Sequence, residues 1–315
     1  MWRAGEGPEE RPILVIGAAG LDLKGYAAGA IRLAATNPGH VRRSVGGVAR
    51  NIAENLARLG HPVILISAVG NDEAGQWVLE RTRGAGVDVT HVMVVPEGRT
   101  GVYLAVLDEQ GNLVVAVDDM GILEAITPRY LQTCRALFEQ AAMVVLDANL
   151  SPAALRMAVR LARRFGVPVA ADPTSPTLAM RLRPILPELH LVTPNTAEAE
   201  ALTGLPVSSV DEALFAARYL AALGVQIAII TMAELGLVYA AGDLSGHIPA
   251  LRTEIVDFTG AGDALTAAVI FALLHGIPIE EAVRLGIAAA ALTLRSRETV
   301  SPDLSLERLY EQLVI

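Results

Sequence analysis

The sequence predicts an α/β protein: a doubly wound, mostly parallel sheet flanked by helices, with a small inserted β-sheet lid. Three observations lead there. Short apolar runs closed by a small or polar residue recur along the chain, as strands buried on both faces require; they lie at Ile13 to Gly17, Val63 to Ser67, Ala142 to Leu146, Val167 to Ala171, Leu189 to Thr193 and Ile227 to Thr231. Stretches with helical spacing separate them, including Val48 to Leu59, Ala153 to Arg164 and Val210 to Leu223, so strand and helix alternate. Two segments then break the rhythm.

The first, residues 98–119, reads as a hairpin: an apolar strand from Thr100, a turn at Asp108-Glu-Gln-Gly-Asn112, and a second strand Leu113 to Val117. The second, residues 24–43, is non-helical and precedes the glycine pair Gly46-Gly47. Together they are expected to form a small antiparallel sheet beside the main one. No fixed-period repeat, low-complexity tract or long linker interrupts the chain. A single domain over 1–315 is therefore expected, with lid segments at about 24–43 and 98–119.

The composition suits this layered core, with 52% hydrophobic but only 4% aromatic residues. A formal net charge of −9 argues against nucleic acid as a partner and leaves small molecules. The single cysteine, Cys134, lies in the helix-like stretch Tyr130 to Gln140, where a packed thiol is expected. No apolar run approaches the ~18 residues that span a bilayer; the longest, Ala264 to Leu274, reads as a buried helix, and Met1 to Arg11 as a loose charged terminus. No membrane association and a cytoplasmic location are expected. Six scattered histidines, His40, His61, His91, His190, His247 and His275, lack the paired spacing of a zinc or iron site.

The chemistry concentrates in Asp257-Phe-Thr-Gly260-Ala261-Gly262-Asp263, which runs into the apolar helix. Glycines at a helix start leave backbone N–H groups unobstructed, where the helix dipole also favours negative charge. A carboxylate in the same turn, Asp263, can take a proton from a hydroxyl while those amides neutralise a transferring phosphoryl group. The alternative is a plain tight turn whose acid complements the helix start. Gly17-Ala-Ala-Gly20 lacks the full Gly-x-Gly-x-x-Gly of a dinucleotide fold.

Thr259-Gly-Ala-Gly-Asp263, followed by its helix of small residues, resembles the signature of the PfkB, or ribokinase-like, sugar and nucleoside kinases, and the likeness runs from Ile13 to about Ser301. It implies a ribokinase-like fold, ATP and Mg²⁺ as cofactors, Asp263 as base and Gly260, Ala261 and Gly262 as the anion hole. Gly46-Gly47-Val-Ala-Arg-Asn51 looks like the family's other signature, in which the glycines let a sugar approach and Asn51 bonds its hydroxyls; an asparagine there can also be only a cap. Asp22, after the first strand, stands where the family grips two sugar hydroxyls. Asn195-Thr-Ala-Glu198 is similar to an element that faces magnesium and its waters, although the same pair can make a capping box. Thr231-Met-Ala-Glu-Leu-Gly236 falls where the family holds the nucleotide, with Ala233 in place of a glycine. Asp257 and Thr259 match positions that bind a potassium-like ion (K⁺).

For the acceptor, Gly46 to Gly60, Asp119-Met120, Leu146-Asp-Ala-Asn149 and Thr193 to Glu198 resemble the pseudouridine kinases of the family. That implies transfer to a nucleoside 5′-hydroxyl, with Asn149 facing the base or ribose, or else capping the next helix. A kinase for ribose, fructose or adenosine, and a non-catalytic nucleoside-binding protein, are the alternatives. The lid's edges and apolar face can be covered by a second lid, so a homodimer is a further expectation.

Overall fold

The computed structural model describes residue 7 and residues 10–313; most of the Met1 to Arg11 terminus lies outside the described residues. In chain order the strands are β1 (Ile13–Ile16), β2 (Gly20–Ala27), β3 (Gly39–Gly46), β4 (Val63–Gly70), β5 (Val92–Val95), β6 (Gly101–Leu107) and β7 (Leu113–Asp119). They continue as β8 (Met143–Asp147), β9 (Val169–Asp172), β10 (Leu191–Val192), β11 (Ile227–Thr231), β12 (Leu237–Ala241) and β13 (Leu244–Ile248).

Nine of them form one sheet in the order β13-β12-β11-β10-β9-β8-β1-β4-β5. Its strands are parallel from β5 through β11, and only β12 and β13 run antiparallel. The apolar runs explain this. Ile13 to Ile16 are fully buried; Leu14 and Ile16 point into one core, Ile13 and Val15 into another on the opposite face, as the two-residue period of a strand dictates. The chain winds outward from β1 in both directions, so β1 and β8 flank the switch point where α/β sheets open a crevice.

Helix Ala261–Leu274 is buried on all sides, as a helix apolar all round must be, and it packs against helices Val48–Arg58 and Ile279–Leu294. The stretch expected as one helix over Tyr130 to Gln140 is instead two, Pro128–Thr133 and Arg135–Gln140, meeting at Cys134, whose thiol is buried.

The second sheet, β3-β2-β6-β7, differs from expectation in two ways. It is mixed, because β2 pairs with β6 in parallel. It also begins at Gly20 and returns to Gly46, wider than 24–43, because the chain enters it within four residues of β1. Asp22 consequently sits within a strand, not in a loop after one. Strand β2 alternates in reverse: Asp22 and Lys24 are buried while Leu21 and Leu23 are only half-buried. The polar parity of this sheet faces inward over the main sheet's edge. Leu104, Val115 and Val117 on its other face are exposed.

Phe138, wholly buried in the core beneath β1 and β8, tests the packing. Phe138→Ala should lower stability by about 3–5 kcal/mol, read as a lower urea midpoint with an unchanged slope.

Candidate active site

A cavity of about 740 Å³ opens at the carboxyl ends of β1, β8, β9, β10 and β11, roofed by the inner face of the second sheet. Its lining brings together Asp22, Gly47, Asn51, Asn149, Asn195, Glu198, Thr231, Asp257, Thr259, Gly260, Gly262 and Asp263. Gly46, Ala261 and Gly236 are not part of that lining. A second hollow, of about 840 Å³ beside His190, Arg218 and Ser245, lies at the opposite end of the strands and holds none of these carboxylates.

Gly260 starts helix Ala261–Leu274 with φ 86°, and no side chain caps it. A Cβ at Gly260 would lie 1.9 Å from the Thr299 carbonyl oxygen, so only glycine fits. The first intrahelical bond runs from the Ala264 N–H to the Gly260 carbonyl, 2.9 Å. The N–H groups of Ala261, Gly262 and Asp263 precede it and form the open donor set of a helix start. Asp263 does not cap its own helix: its Oδ2 accepts from Asn51 Nδ2 at 2.8 Å. Burial pushes its carboxyl up to about 7, the Asn51 bond works against the rise, and the charges of Asp22, Asp147 and Glu198 add to it.

Asn51 is buried, and its Oδ1 accepts from Arg50 at 3.0 Å and from Thr299 at 3.2 Å. One amide thus aims at Asp263 from a helix start that also lines the cavity. Asp22 projects from β2 into the same space; a Cβ at Gly46 would lie 2.3 Å from its Oδ1. Gly46 therefore makes room for Asp22 from outside the cavity lining. Burial raises the Asp22 carboxyl to about 6 against the opposing charges of Lys24 and Arg50. Asn149 is free of capping duty, because Ser151 caps helix Pro152–Phe165 through the Ala154 N–H. Tyr103, on β6, lines the cavity. Thr100 turns away and donates to Asp72 at 2.6 Å.

On the far side, Asn195 and Glu198 do make a capping box. Glu198 N–H donates to Asn195 Oδ1 at 3.0 Å, and Asn195 N–H to Glu198 Oε2 at 2.9 Å. Asp172, at the end of β9, is buried beside them, and burial with the charges of Asp263 and Glu198 raises its carboxyl well above the ordinary range. Thr231 lines the cavity. Gly236 lies past it, where a Cβ would sit 2.1 Å from the Ile248 carbonyl oxygen. Ala233 adopts φ 50°, the left-handed region that the missing glycine would occupy without cost. The Asp257 and Thr259 side chains are engaged by Lys24, whose Nζ lies 2.6 Å from Asp257 Oδ2 and 2.6 Å from Thr259 Oγ1.

The model of the pfkB family of carbohydrate kinases matches residues 11–305. The chain belongs to this family. It is 36% identical over 301 residues to the pseudouridine kinase of Escherichia coli strain K12, covering 95% of each chain. It is 32% identical over 288 residues to the guanosine-inosine kinase of Exiguobacterium acetylicum, covering 91% of this chain and 95% of the other. A carbohydrate kinase from Agrobacterium tumefaciens superposes with TM-score 0.83 at 34% identity, over 96% of this chain and 97% of that one. Arabidopsis thaliana ribokinase, complexed with ribose and ATP, shares the fold with TM-score 0.85 at 23% identity, over 97% of this chain and 99% of that one.

Three residues of this kinase escaped the sequence reading. Asp147 is buried at the switch point and accepts the N–H groups of Ala18 at 2.7 Å, Ala49 at 3.1 Å and Asn149 at 3.0 Å, tying three cavity loops together. Arg181 Nη1 donates to the carbonyls of Ala148, Asn149 and Leu150, which fixes the loop bearing Asn149. Asp172 gives the cavity lining a fourth buried acid beside Asp22, Glu198 and Asp263. Each looked like an ordinary residue in or after an element; the only local signal was a carboxylate closing an apolar strand, at Asp147 and Asp172.

Among the described residues no three His, Cys, Asp or Glu side chains converge as a ligand set. Magnesium does not need one, since it keeps several waters and takes one or two carboxylates together with substrate phosphates. Glu198, raised by burial, and Asp172, raised by burial and by the charges of Asp263 and Glu198, fit that use.

Two outcomes follow from these energetics. Replacing Ala233 by Gly relieves a left-handed alanine, about 1–2 kcal/mol, less the ~0.4–1 kcal/mol of added unfolded-chain entropy; Ala233→Gly should therefore melt higher, by thermal unfolding. Asp22, Asp147 and Asp263 hold protons in the folded state, with pKa values of about 6, 6 and 7 against 3.8. The folded chain then binds more protons than the unfolded one between about pH 4 and 7, so stability falls as pH rises through that window. Melting temperatures at pH 5.5 and 7.5 in metal-free buffer check the sign; a higher value at 7.5 would contradict it.

Proposed function

We propose that this kinase transfers the γ-phosphoryl group of ATP to the 5′-hydroxyl of pseudouridine, giving ADP and pseudouridine 5′-phosphate. The observation that carries the reaction is one helix start holding both an uncapped set of amides and the buried Asp263 carboxyl, fixed by Asn51. The acceptor is supported by the 36% identity to the E. coli pseudouridine kinase along 95% of both chains.

In this reading Asp263, ionised, takes the proton of the 5′-hydroxyl. The freed oxygen bonds to the γ-phosphorus in line, the bond from phosphorus to the bridging oxygen breaks, and ADP leaves with that electron pair. The amides of Ala261, Gly262 and Asp263 stabilise the charge on the transferring group. A carboxyl with pKa of about 7 suits the base, being partly ionised near neutral pH yet more basic than an exposed aspartate. Asp22 and Asn51 hold the ribose, Gly46 giving Asp22 its room and Gly47 lining the approach; Asn149 and Tyr103 flank the base. The nucleotide lies toward Asn195, Thr231 and the turn before Gly236. Magnesium on the ATP phosphates would be held by Glu198 and Asp172, partly through water, and supplies positive charge there. The lid's inner face excludes water, which limits loss of ATP to hydrolysis.

The similarity to a guanosine-inosine kinase favours purine nucleosides as the second reading. ATP consumption should be measured with pseudouridine, uridine, cytidine, adenosine, guanosine, inosine, ribose and fructose. Pseudouridine is expected to give the highest kcat/KM, and Asp263→Asn to lower kcat by at least ~10²-fold with nucleoside binding retained by calorimetry. Preference for inosine or guanosine would move the acceptor and keep the mechanism. Near-normal turnover of Asp263→Asn would remove the base, and binding without turnover by the wild type would leave a nucleoside-binding protein.

A further inference from the structure

Lys24 stands on the inner parity of β2, 5% exposed, in the same cavity as Asp263. Its ammonium forms a salt bridge with Asp257 Oδ2 and donates to Thr259 Oγ1, both at 2.6 Å. The Tyr26 hydroxyl reaches the same Asp257 oxygen more weakly, at 3.4 Å. Asp257 Oδ1 meanwhile accepts the Thr259 N–H at 2.9 Å, so the acid and the turn leading to Gly260 are held as one unit. Burial alone would raise the Asp257 carboxyl, but the Lys24 and Thr259 hydrogen bonds and the lysine charge outweigh it and bring it below the ordinary range. A buried ion pair of this quality is costly to break from either side, because the remaining charge is left unpaired.

The turn is the one whose amides form the anion site, and the two side chains that Lys24 engages belong to the residues, Asp257 and Thr259, expected to bind a potassium-like ion. As they stand they do not fit that ion, since a fixed positive charge already lies between them. We propose that Lys24 is the resident monovalent cation of this active site, a positioning residue whose ammonium locks the Asp257 to Gly260 turn and makes the enzyme independent of added potassium. Because Lys24 belongs to the strand that also carries Asp22, the lid and the anion site are ordered together: the strand that grips the acceptor also holds the phosphoryl-binding turn in shape.

The kinetic part of this inference rests on the phosphoryl-transfer reading; melting does not, and it separates failure of one from failure of the other. Wild type should melt at the same temperature in potassium chloride and in choline chloride of equal ionic strength. Its turnover on the best acceptor should differ by less than ~2-fold between the two salts. Lys24→Met should melt lower in choline, and potassium should restore part of the loss by binding the vacated oxygens. Its turnover should fall by ~10²-fold in choline, the scale for losing one fixed electrostatic contact at a transferring group, and recover at least ~10-fold with potassium. In Lys24→Ala, ethylammonium should restore activity where choline does not. Strong activation or stabilisation of the wild type by potassium would overturn the proposal, and needs no variant to fold. So would a Lys24→Met enzyme as active as wild type in choline, or one impaired but indifferent to potassium and ammonium ions.

Discussion

The crowding of buried carboxyl groups at one edge of the sheet governs this molecule. Asp22, Asp147, Asp172, Glu198 and Asp263 all lie at or behind one cavity, each at most about a tenth exposed. Charges of one sign in a low-dielectric site raise one another's pKa, and burial raises them further. Such a group of acids persists only if each finds donors or a cation. Asp147 is satisfied by three backbone amides and Asp263 by the Asn51 amide, while Glu198 takes the Asn195 N–H. What remains on Asp172, Glu198 and Asp263 is a negative potential that burial concentrates at one end of the cavity.

That constraint also explains the second sheet. A lid over an acidic cavity must present polar groups inward, and β2 does so by reversing the usual alternation, with Asp22 and Lys24 inside and leucines toward the outside. Lys24 brings the positive charge that the Asp257 side of the cavity lacks. The helix from Ala261 to Leu274 is apolar apart from Thr266 and its single buried acid, Asp263, which sits in the first turn, where the helix dipole and open amides favour negative charge.

Much of this was legible in the chain. The alternation of buried strands and helices, the hairpin at residues 98–119 and the Thr-Gly-Ala-Gly-Asp turn are set by neighbours within a few residues, through side-chain period and the conformations glycine permits. The bounds and pairing of the lid were less legible, because a parallel partner 81 positions along, as Gly101 is to Gly20, leaves no local trace. Asn195 and Glu198 show the limit from the other side: the spacing that suits a metal site also suits a capping box, which forms here, so spacing alone does not separate the two uses.

Taken alone, the sequence determined the α/β architecture, the open glycine-led helix start, and the acid placed in its first turn, since each depends on short-range backbone geometry. Only the tertiary structure decided which donors each buried acid receives. Asn51 meets Asp263 across 212 residues and Lys24 meets Asp257 across 233. The identity of such partners is fixed by how elements pack and not by spacing along the chain, because a buried charge is satisfied by whatever group the fold places within hydrogen-bonding distance.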